Sequence, residues 1–581
     1  MPRKKAYSGK AKRLQLQAKK QRQNPSMFPD VRNKAKEETS STADDREANF
    51  TERINKQLKD CNSHKKSYAL LFFRETKEEL FKQKEEARST IEPLSLKEQE
   101  VSDNYFPPEL DMPKRPPWDF NVSKEQLELR EQKYFTEYAK GMEKLCANSY
   151  FELNIETWRQ LWRVLEMSDI LLIVVDIRYP ALMFPPYLYH HVTHELKKDM
   201  ILVMNKIDLA PPALVVAWQH YLHAAYPKLH ILMFTSYPTY NLRGNTNETE
   251  GIKKRRRRGK LKMAAEGAQT LLNTCKEIVK DRVDLSSWDE KIQEEMQMEF
   301  DLDDVDHKDS VVIEKEDTSY VEHERYKNGV LTVGCIGMPN VGKSSLMNAL
   351  MGKKVVSVSR TPGHTKHFQT IFLTKTVCLC DCPGLVFPST VPRRVQILIG
   401  SFPIAQARQP YSSVKFLAEK IDLPKLLKIQ HPDGDDTWSA MDICDGWAIK
   451  RNFMTARTAR PDTYRAANSL LRMALEGKIC VYVYPPGWQD DKEKWENHPG
   501  AELVKWIQAR NKEGDVRNEG KVLSSSEDED EEEENADECS GISKGEEEYE
   551  ANDQDADDTS SDESETPACT VNKFQSLSVD L

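Results

Sequence analysis

The eight residues GMPNVGKS at Gly337–Ser344 fit the pattern G-x-x-x-x-G-K-[ST] without a mismatch, and they restrict the fold more than any other feature. They follow the apolar run VLTVGCIG (330–337), which reads as a buried strand, and precede SSLMNALM, which reads as a helix. In that context the glycines let backbone N–H groups surround a β-phosphate, and the helix N-terminus favours the anion. Lys343 is expected to reach the β- and γ-phosphates and the Ser344 hydroxyl to ligate magnesium. Gly337, Met338, Pro339, Asn340, Val341, Gly342 and Ser345 complete the expected phosphate-binding stretch.

A phosphate loop does not choose a base. NKID at Asn205–Asp208 closes a second apolar strand, ILVMNK (201–206), at the end where α/β sheets place ligand contacts. An aspartate at position 208 can accept two hydrogen bonds from guanine N1–H and the exocyclic amine, whereas adenine would leave that carboxylate unpaired. Asn205 would brace the loop, the Lys206 stem would pack on the base, and Ile207 lies between them and Asp208. Thr235 and Ser236 end the next strand, LHILMFTS (229–236), where a backbone N–H would meet guanine O6.

DCPG at Asp381–Gly384 follows the strand TVCLC. An aspartate there holds magnesium in sites of this class, and the glycine N–H touches the γ-phosphate. Cys382, Pro383 and Leu385 belong to the same expected contact stretch. In RTPGHTKHF (360–368) Thr365 is the first candidate for a second magnesium ligand, with Thr361 nearby as the alternative. Lys343, Thr365, Asp381 and Gly384 are the expected catalytic set. Leu385 is apolar and cannot orient a water, so hydrolysis is expected to be slow or to use another group.

The order along the chain is NKID, then Thr235–Ser236, then the phosphate loop, then PGHT and DCPG. With VVDIRYP (174–180) and PDTYRAAN (461–468), this order resembles the circularly permuted YlqF/YawG-type GTPases, closest to the eukaryotic guanine nucleotide-binding protein-like and large-subunit GTPases. The resemblance spans roughly residues 155–485. It implies an α/β fold with a circularly permuted Ras-like sheet and a C-terminal helical domain. It also implies GTP and GDP as ligands, GTP hydrolysis, and work in ribosome assembly or nucleolar–cytoplasmic shuttling. Asn340 resembles the asparagine that holds potassium in cation-stimulated GTPases. A turn-compatible residue without a ligand role is the equal alternative.

The remaining sequence divides by charge. The net charge of −10 conceals 22 N-terminal residues with Lys and Arg but no acid, and an unbroken acidic block from Glu527 to Glu534. Like charges repel and rarely fold, so residues 1–125 are expected to be largely disordered, closed by a Pro-rich linker FPPELDMPKRPPW, and 515–581 to form a disordered acidic tail. The basic end suits RNA or a pre-ribosomal particle, or equally an import address. The G domain is expected at 155–390, with a charged insertion at 240–327 lying outside the sheet, and helices at 391–485. Eleven cysteines without zinc spacing, no apolar leader and no membrane-length run point to a reduced intracellular protein with no membrane association. A nuclear or nucleolar location with shuttling to the cytoplasm is the corresponding expectation. Ser524, Ser525, Ser526 and Ser561 precede acidic runs that suit acid-directed kinases. The rival reading is a GTP-binding scaffold that hydrolyses poorly and acts through its charged tails.

Overall fold

The computed structural model describes residues 71–72, 75–101, 105–119, 121–146, 148–235, 260–297, 313–314, 323–352, 355–356, 368–455 and 460–509. The chain divides into a unit ending at Asn511 and a second, Lys512–Leu581, which lies outside the described residues.

Helix α1 (Lys77–Arg88) is started by a Thr76–Glu79 capping box. Helix α2 (Lys124–Leu145) is capped by Ser123, and α3 (Ile155–Met167) by Asn154, whose side chain accepts from Glu156 N–H. Trp158, Leu161, Trp162 and Leu165 recur at helical spacing and are the buried face of α3. Strand β1 (Ile170–Asp176) is buried at every position, as a strand covered on both faces must be. Strand β2 (Asp199–Asn205), helix α4 (Pro212–Ala225) and strand β3 (His230–Met233) follow. Next come α5 (Lys260–Val279), α6 (Ser286–Gln297), β4 (Ile313–Glu314), β5 (Leu331–Ile336) and α7 (Lys343–Met351). Strands β6 (Gln369–Thr374) and β7 (Val377–Asp381) complete the sheet. The helices α8 (Arg393–Leu398), α9 (Tyr411–Lys420), α10 (Ala440–Lys450) and α11 (Thr463–Leu475) bury a separate apolar cluster that includes Val414, Trp447 and Leu470. Helices α12 (Trp488–Glu496) and α13 (Pro499–Ala509) end the described chain.

The seven strands lie in the order β3-β2-β1-β5-β7-β6-β4. Strands β3, β2, β1, β5 and β7 are parallel, while β6 runs antiparallel to β7 and β4 antiparallel to β6. The strand that carries NKID therefore precedes the phosphate-loop strand in sequence yet lies in the same sheet, two places away. Asp176, Asn205, Gly337 and Asp381 all fall at the carboxyl ends of parallel strands, on one rim.

Three sequence expectations need correction. Residues 240–327 are not all outside the sheet: Ile313 and Glu314 pair with Ile371 and Thr370. Helices α5 and α6 also bury Leu271, Leu272, Cys275, Trp288 and Ile292 in the main core. The basic run at 253–260 before α5 and the acidic stretch at 301–309 after α6 set the segment apart by charge. The N-terminal region to 125 is not all solvated, since Phe72 and Ala87 pack into the helical cluster and Leu110 and Met112 are buried. In the Pro-rich stretch, the Pro113 carbonyl accepts from Trp162 Nε1 at 2.7 Å and Arg115 pairs with Glu131 and Glu166, so it is packed and not a linker. Prolines donate nothing from their own nitrogens, and here their neighbours supply the contacts. Finally, folded structure continues past 485, where α12 and α13 lie on α4.

Candidate functional site

The turn between β5 and α7 is tied to the turn after β2. Asn205 Nδ2 donates to the Val341 carbonyl at 2.8 Å. Gly342 adopts φ +100°, and a Cβ there would come within 2.4 Å of Asn205 Nδ2, so a side chain at 342 would force the two loops apart. Lys206 adopts a left-handed φ of 61°, and its Nζ donates to the Asn340 carbonyl at 2.7 Å and to Asp176 Oδ2 at 2.9 Å. Asp208 is buried, and Thr235 Oγ1 donates to its Oδ1 at 2.9 Å. Ile207 is fully buried, with its N–H directed to the Phe234 carbonyl.

Within the phosphate loop, Lys343 is buried and its Nζ donates to the carbonyls of Gly337 (3.0 Å) and Met338 (2.7 Å). Burial pulls its pKa below the ordinary lysine value, against the opposing charge of Asp381. Ser344 Oγ donates to Asp381 Oδ2 at 2.9 Å. Asp381 is completely buried, which pushes its carboxyl up to about 6 despite Lys343 and the Ser344 hydrogen bond. Its Oδ1 is buried without a hydrogen-bond partner. An orphaned carboxylate oxygen beside a serine hydroxyl is the donor set a magnesium ion bound chiefly through phosphates and water requires. Among the described residues no group of three or more His, Cys, Asp or Glu is placed to hold a metal.

The other expected contacts are placed as follows. Asn340 adopts φ 58°, and its Nδ2 donates to the Gly400 carbonyl at 2.9 Å. Met338, Val341 and Ser345 are buried, and Gly384 lies against Pro339. Cys382 N–H continues the sheet pairing to the Cys335 carbonyl, and Pro383 is buried beside it. Leu385 packs into the main core with its N–H on the Gly337 carbonyl at 3.2 Å. Thr365, Thr361 and Ser236 lie outside the described residues, as do Ser524, Ser525, Ser526 and Ser561.

Two participants escape a reading by motif. Gln508, on α13, donates from Nε2 to the carbonyls of Ile207 (2.7 Å) and Ala210 (3.0 Å), bracing the NKID turn from some 300 residues away. Arg178 is buried beside Asp176, two residues beyond β1. The run VVDIRYP was the available signal for Arg178, whereas nothing in the sequence marks Gln508.

A parallel-strand rim that brings together a G-x-x-x-x-G-K-S loop, an upstream NKID turn and DCPG defines an α/β GTP-binding protein with a circularly permuted order of motifs. Residues 332–420 match the family described as 50S ribosome-binding GTPase. The chain is 46% identical over 546 residues to guanine nucleotide-binding protein-like 1 of Mus musculus, covering 87% of this chain and 89% of that protein. It is 30% identical over 430 residues to the large subunit GTPase 1 homolog of Mus musculus, covering 65% and 66%. The crystal structure of GNP-bound YlqF from T. maritima matches at 17% identity and a TM-score of 0.32, covering 57% of this chain and 97% of that one. The chain belongs to the guanine nucleotide-binding protein-like 1 family of GTPases. No helix among the described residues is long and apolar enough to cross a membrane.

Proposed function

We propose that this protein binds GTP at the rim described above and hydrolyses it slowly, as a switch in ribosome assembly. Asp208, held by Thr235, reads guanine; Asn205 and Lys206 fix that loop to the phosphate loop. Lys343, whose Nζ donates to the Gly337 and Met338 carbonyls, would present its ammonium to the β- and γ-phosphate oxygens. Ser344 and Asp381 would hold magnesium, with Thr365 as a further ligand; the ion supplies charge neutralisation on the phosphates. The Gly384 N–H meets the γ-phosphate.

The observation that carries slow hydrolysis is the burial of Leu385, which is 1% exposed. Neither its side chain nor its N–H, already on Gly337, can orient an attacking water. Water would be placed by another group or by a bound partner. Single-turnover hydrolysis, alone and with added ribosomal subunits, tests this: a slow rate that rises with subunits is expected, and a fast unassisted rate would refute it.

Potassium at Asn340 is a narrower proposal. The Gly400 carbonyl only accepts, so it must face the amide nitrogen and leaves the amide oxygen for a cation. The basic N-terminus is proposed to contact RNA of a pre-ribosomal particle, the acidic-tail serines to be phosphorylated, and the protein to shuttle between nucleolus and cytoplasm. The name of the large subunit GTPase 1 homolog and the basic composition of the first residues support this placement. A scaffold that binds GTP and barely turns over is the second reading, favoured by the same burial of Leu385.

A further inference from the structure

Asp176 ends β1 beside the nucleotide rim, and its carboxylate holds two cations. Oδ1 accepts from Arg178 Nε at 3.0 Å and from Arg178 N–H at 3.0 Å. Oδ2 accepts from Arg178 Nη2 at 2.8 Å and from Lys206 Nζ at 2.9 Å. Burial alone would raise the Asp176 pKa, but Arg178 and Lys206 hold it well below the usual carboxylate range, so the pair stays ionised. The second half of the Arg178 fork leaves the sheet. Nη1 donates to the Ala474 carbonyl at 2.7 Å and Nη2 reaches the Leu475 carbonyl at 3.3 Å. Those carbonyls lie at the C-terminal end of α11, where a helix dipole is negative and a guanidinium is favoured; the Ala474 carbonyl also accepts from Gly477 N–H at 3.1 Å. The Arg178 carbonyl in turn accepts from Val483 N–H at 2.9 Å.

The same helix end touches the guanine loop and is linked through Arg178, Asp176 and Lys206 to the phosphate loop. Gly477, two residues past α11, adopts φ +77°, and a Cβ there would come within 2.6 Å of Leu209 in the NKIDL turn. Lys206, paired with Asp176, also holds the Asn340 carbonyl of the phosphate loop. One chain of buried and part-buried, charge-assisted hydrogen bonds thus runs from the phosphate loop through Lys206, Asp176 and Arg178 to the end of α11. Moving α11 away would take from Arg178 the two carbonyls that its Nη1 and Nη2 now meet.

We propose that Arg178 is a positioning residue that makes guanine-nucleotide binding and the docking of α11 against the sheet depend on each other. This rests on the reading of Asn205–Asp208 and Gly337–Ser344 as the nucleotide site. Nucleotide that fixes the Lys206 stem favours the docked helix, and the docked helix holds Lys206 ready for the base. The coupling is reciprocal by thermodynamic necessity. It differs from a signal passed through the loop after DCPG, because it enters the helices from the guanine end of the site.

The test is amide hydrogen exchange on the full chain, with and without GDP and magnesium, beside fluorescent-GDP titration. In the wild type, GDP is expected to slow exchange across 463–483. Arg178→Lys keeps the charge for Asp176 but loses the fork to α11. It is expected to bind GDP about tenfold more weakly and to lose the GDP-dependent protection of α11. A merely structural role would lower the melting temperature yet leave the nucleotide-dependent difference intact, and that result would overturn the proposal. Wild type that binds GDP with no change in α11 would also overturn it, while leaving the site reading standing. Wild type that binds no GDP would instead remove the site reading and the proposal together. Should Arg178→Lys fail to fold, Gly477→Val displaces the helix end without touching an ion; the same double loss is expected, and unchanged affinity and protection would overturn the coupling.

Discussion

Ser344 Oγ donates to Asp381 Oδ2 at 2.9 Å, joining the first turn of α7 to the end of β7. Both atoms are assigned to magnesium in the proposed mechanism, and the second Asp381 oxygen is buried without a partner. Ser344→Ala removes one ligand and leaves the carboxylate more exposed to the cost of burial. GDP affinity in the mutant is expected to lose most of its dependence on magnesium and to fall by roughly tenfold or more, in a fluorescent-nucleotide titration with and without chelator. An unchanged magnesium dependence would detach Ser344 from the ion.

Placing at 385 a glutamine, a side chain that can orient water in GTPase sites, is expected to harm the fold more than it helps the chemistry. Leu385 sits in the main apolar cluster at 1% exposure. A glutamine there must bury an amide or force the strand end outward, at about 1–3 kcal/mol. Leu385→Gln should lower the melting temperature and leave the single-turnover rate within about threefold of wild type. A large acceleration would show that the segment can swing its side chain to the phosphates.

Asn340→Ala is expected to abolish any potassium stimulation of hydrolysis while guanine selectivity is kept, since selectivity is set on another loop. The comparison is the single-turnover rate in potassium and in sodium for both proteins. Equal rates in the two salts for wild type would leave partner-supplied catalysis as the better account.

Glu152 gives a pH signature. Burial, ahead of the backbone N–H groups of Leu71, Asn154 and Leu153 that pull the other way, pushes its carboxyl up to about 8 from 4.5. Between those values the unfolded chain has lost the proton that the folded chain keeps, so stability should fall as pH rises through this window and level off above it. The slope is at most roughly 1.4 kcal/mol per pH unit. Other raised carboxyls contribute too, so the quantity to measure is the difference between wild type and Glu152→Gln in urea midpoint from acid to alkaline pH. Parallel curves would mean that Glu152 is ionised in the folded protein.

Much of the site was legible because its parts are contiguous. Gly337–Ser344, Asn205–Asp208 and Asp381–Gly384 each carry the proposed chemistry within a few residues, and the βα pattern around them placed all three at strand ends. What stayed hidden depends on residues distant in sequence. Gln508 braces the NKID turn with an ordinary amide on an amphipathic helix, and no local pattern distinguishes it from a solvated glutamine. The role of Arg178 required knowing that α11 ends beside it. The place of helix α5 in the core was not legible, because the segment was set apart by the basic run at 253–260 and the acidic stretch after α6, while Leu271, Leu272 and Cys275 pack into the main cluster. Composition likewise concealed the packed segments before 125, where prolines and charged residues are buried through pairs such as Arg115 with Glu131.

The most direct test of the central claim is the base preference of Asp208→Asn. Thr235 holds the Asp208 carboxylate at 2.9 Å, so an amide in its place should remain in position and reverse one donor–acceptor pairing with the base. Fluorescent GDP and XDP are titrated against wild type and mutant in magnesium. The wild type is expected to prefer GDP strongly and the mutant to lose GDP affinity while gaining XDP, by a combined change of about a hundredfold or more. A mutant that still prefers GDP as strongly as wild type would contradict the assignment of NKID as the guanine-reading loop.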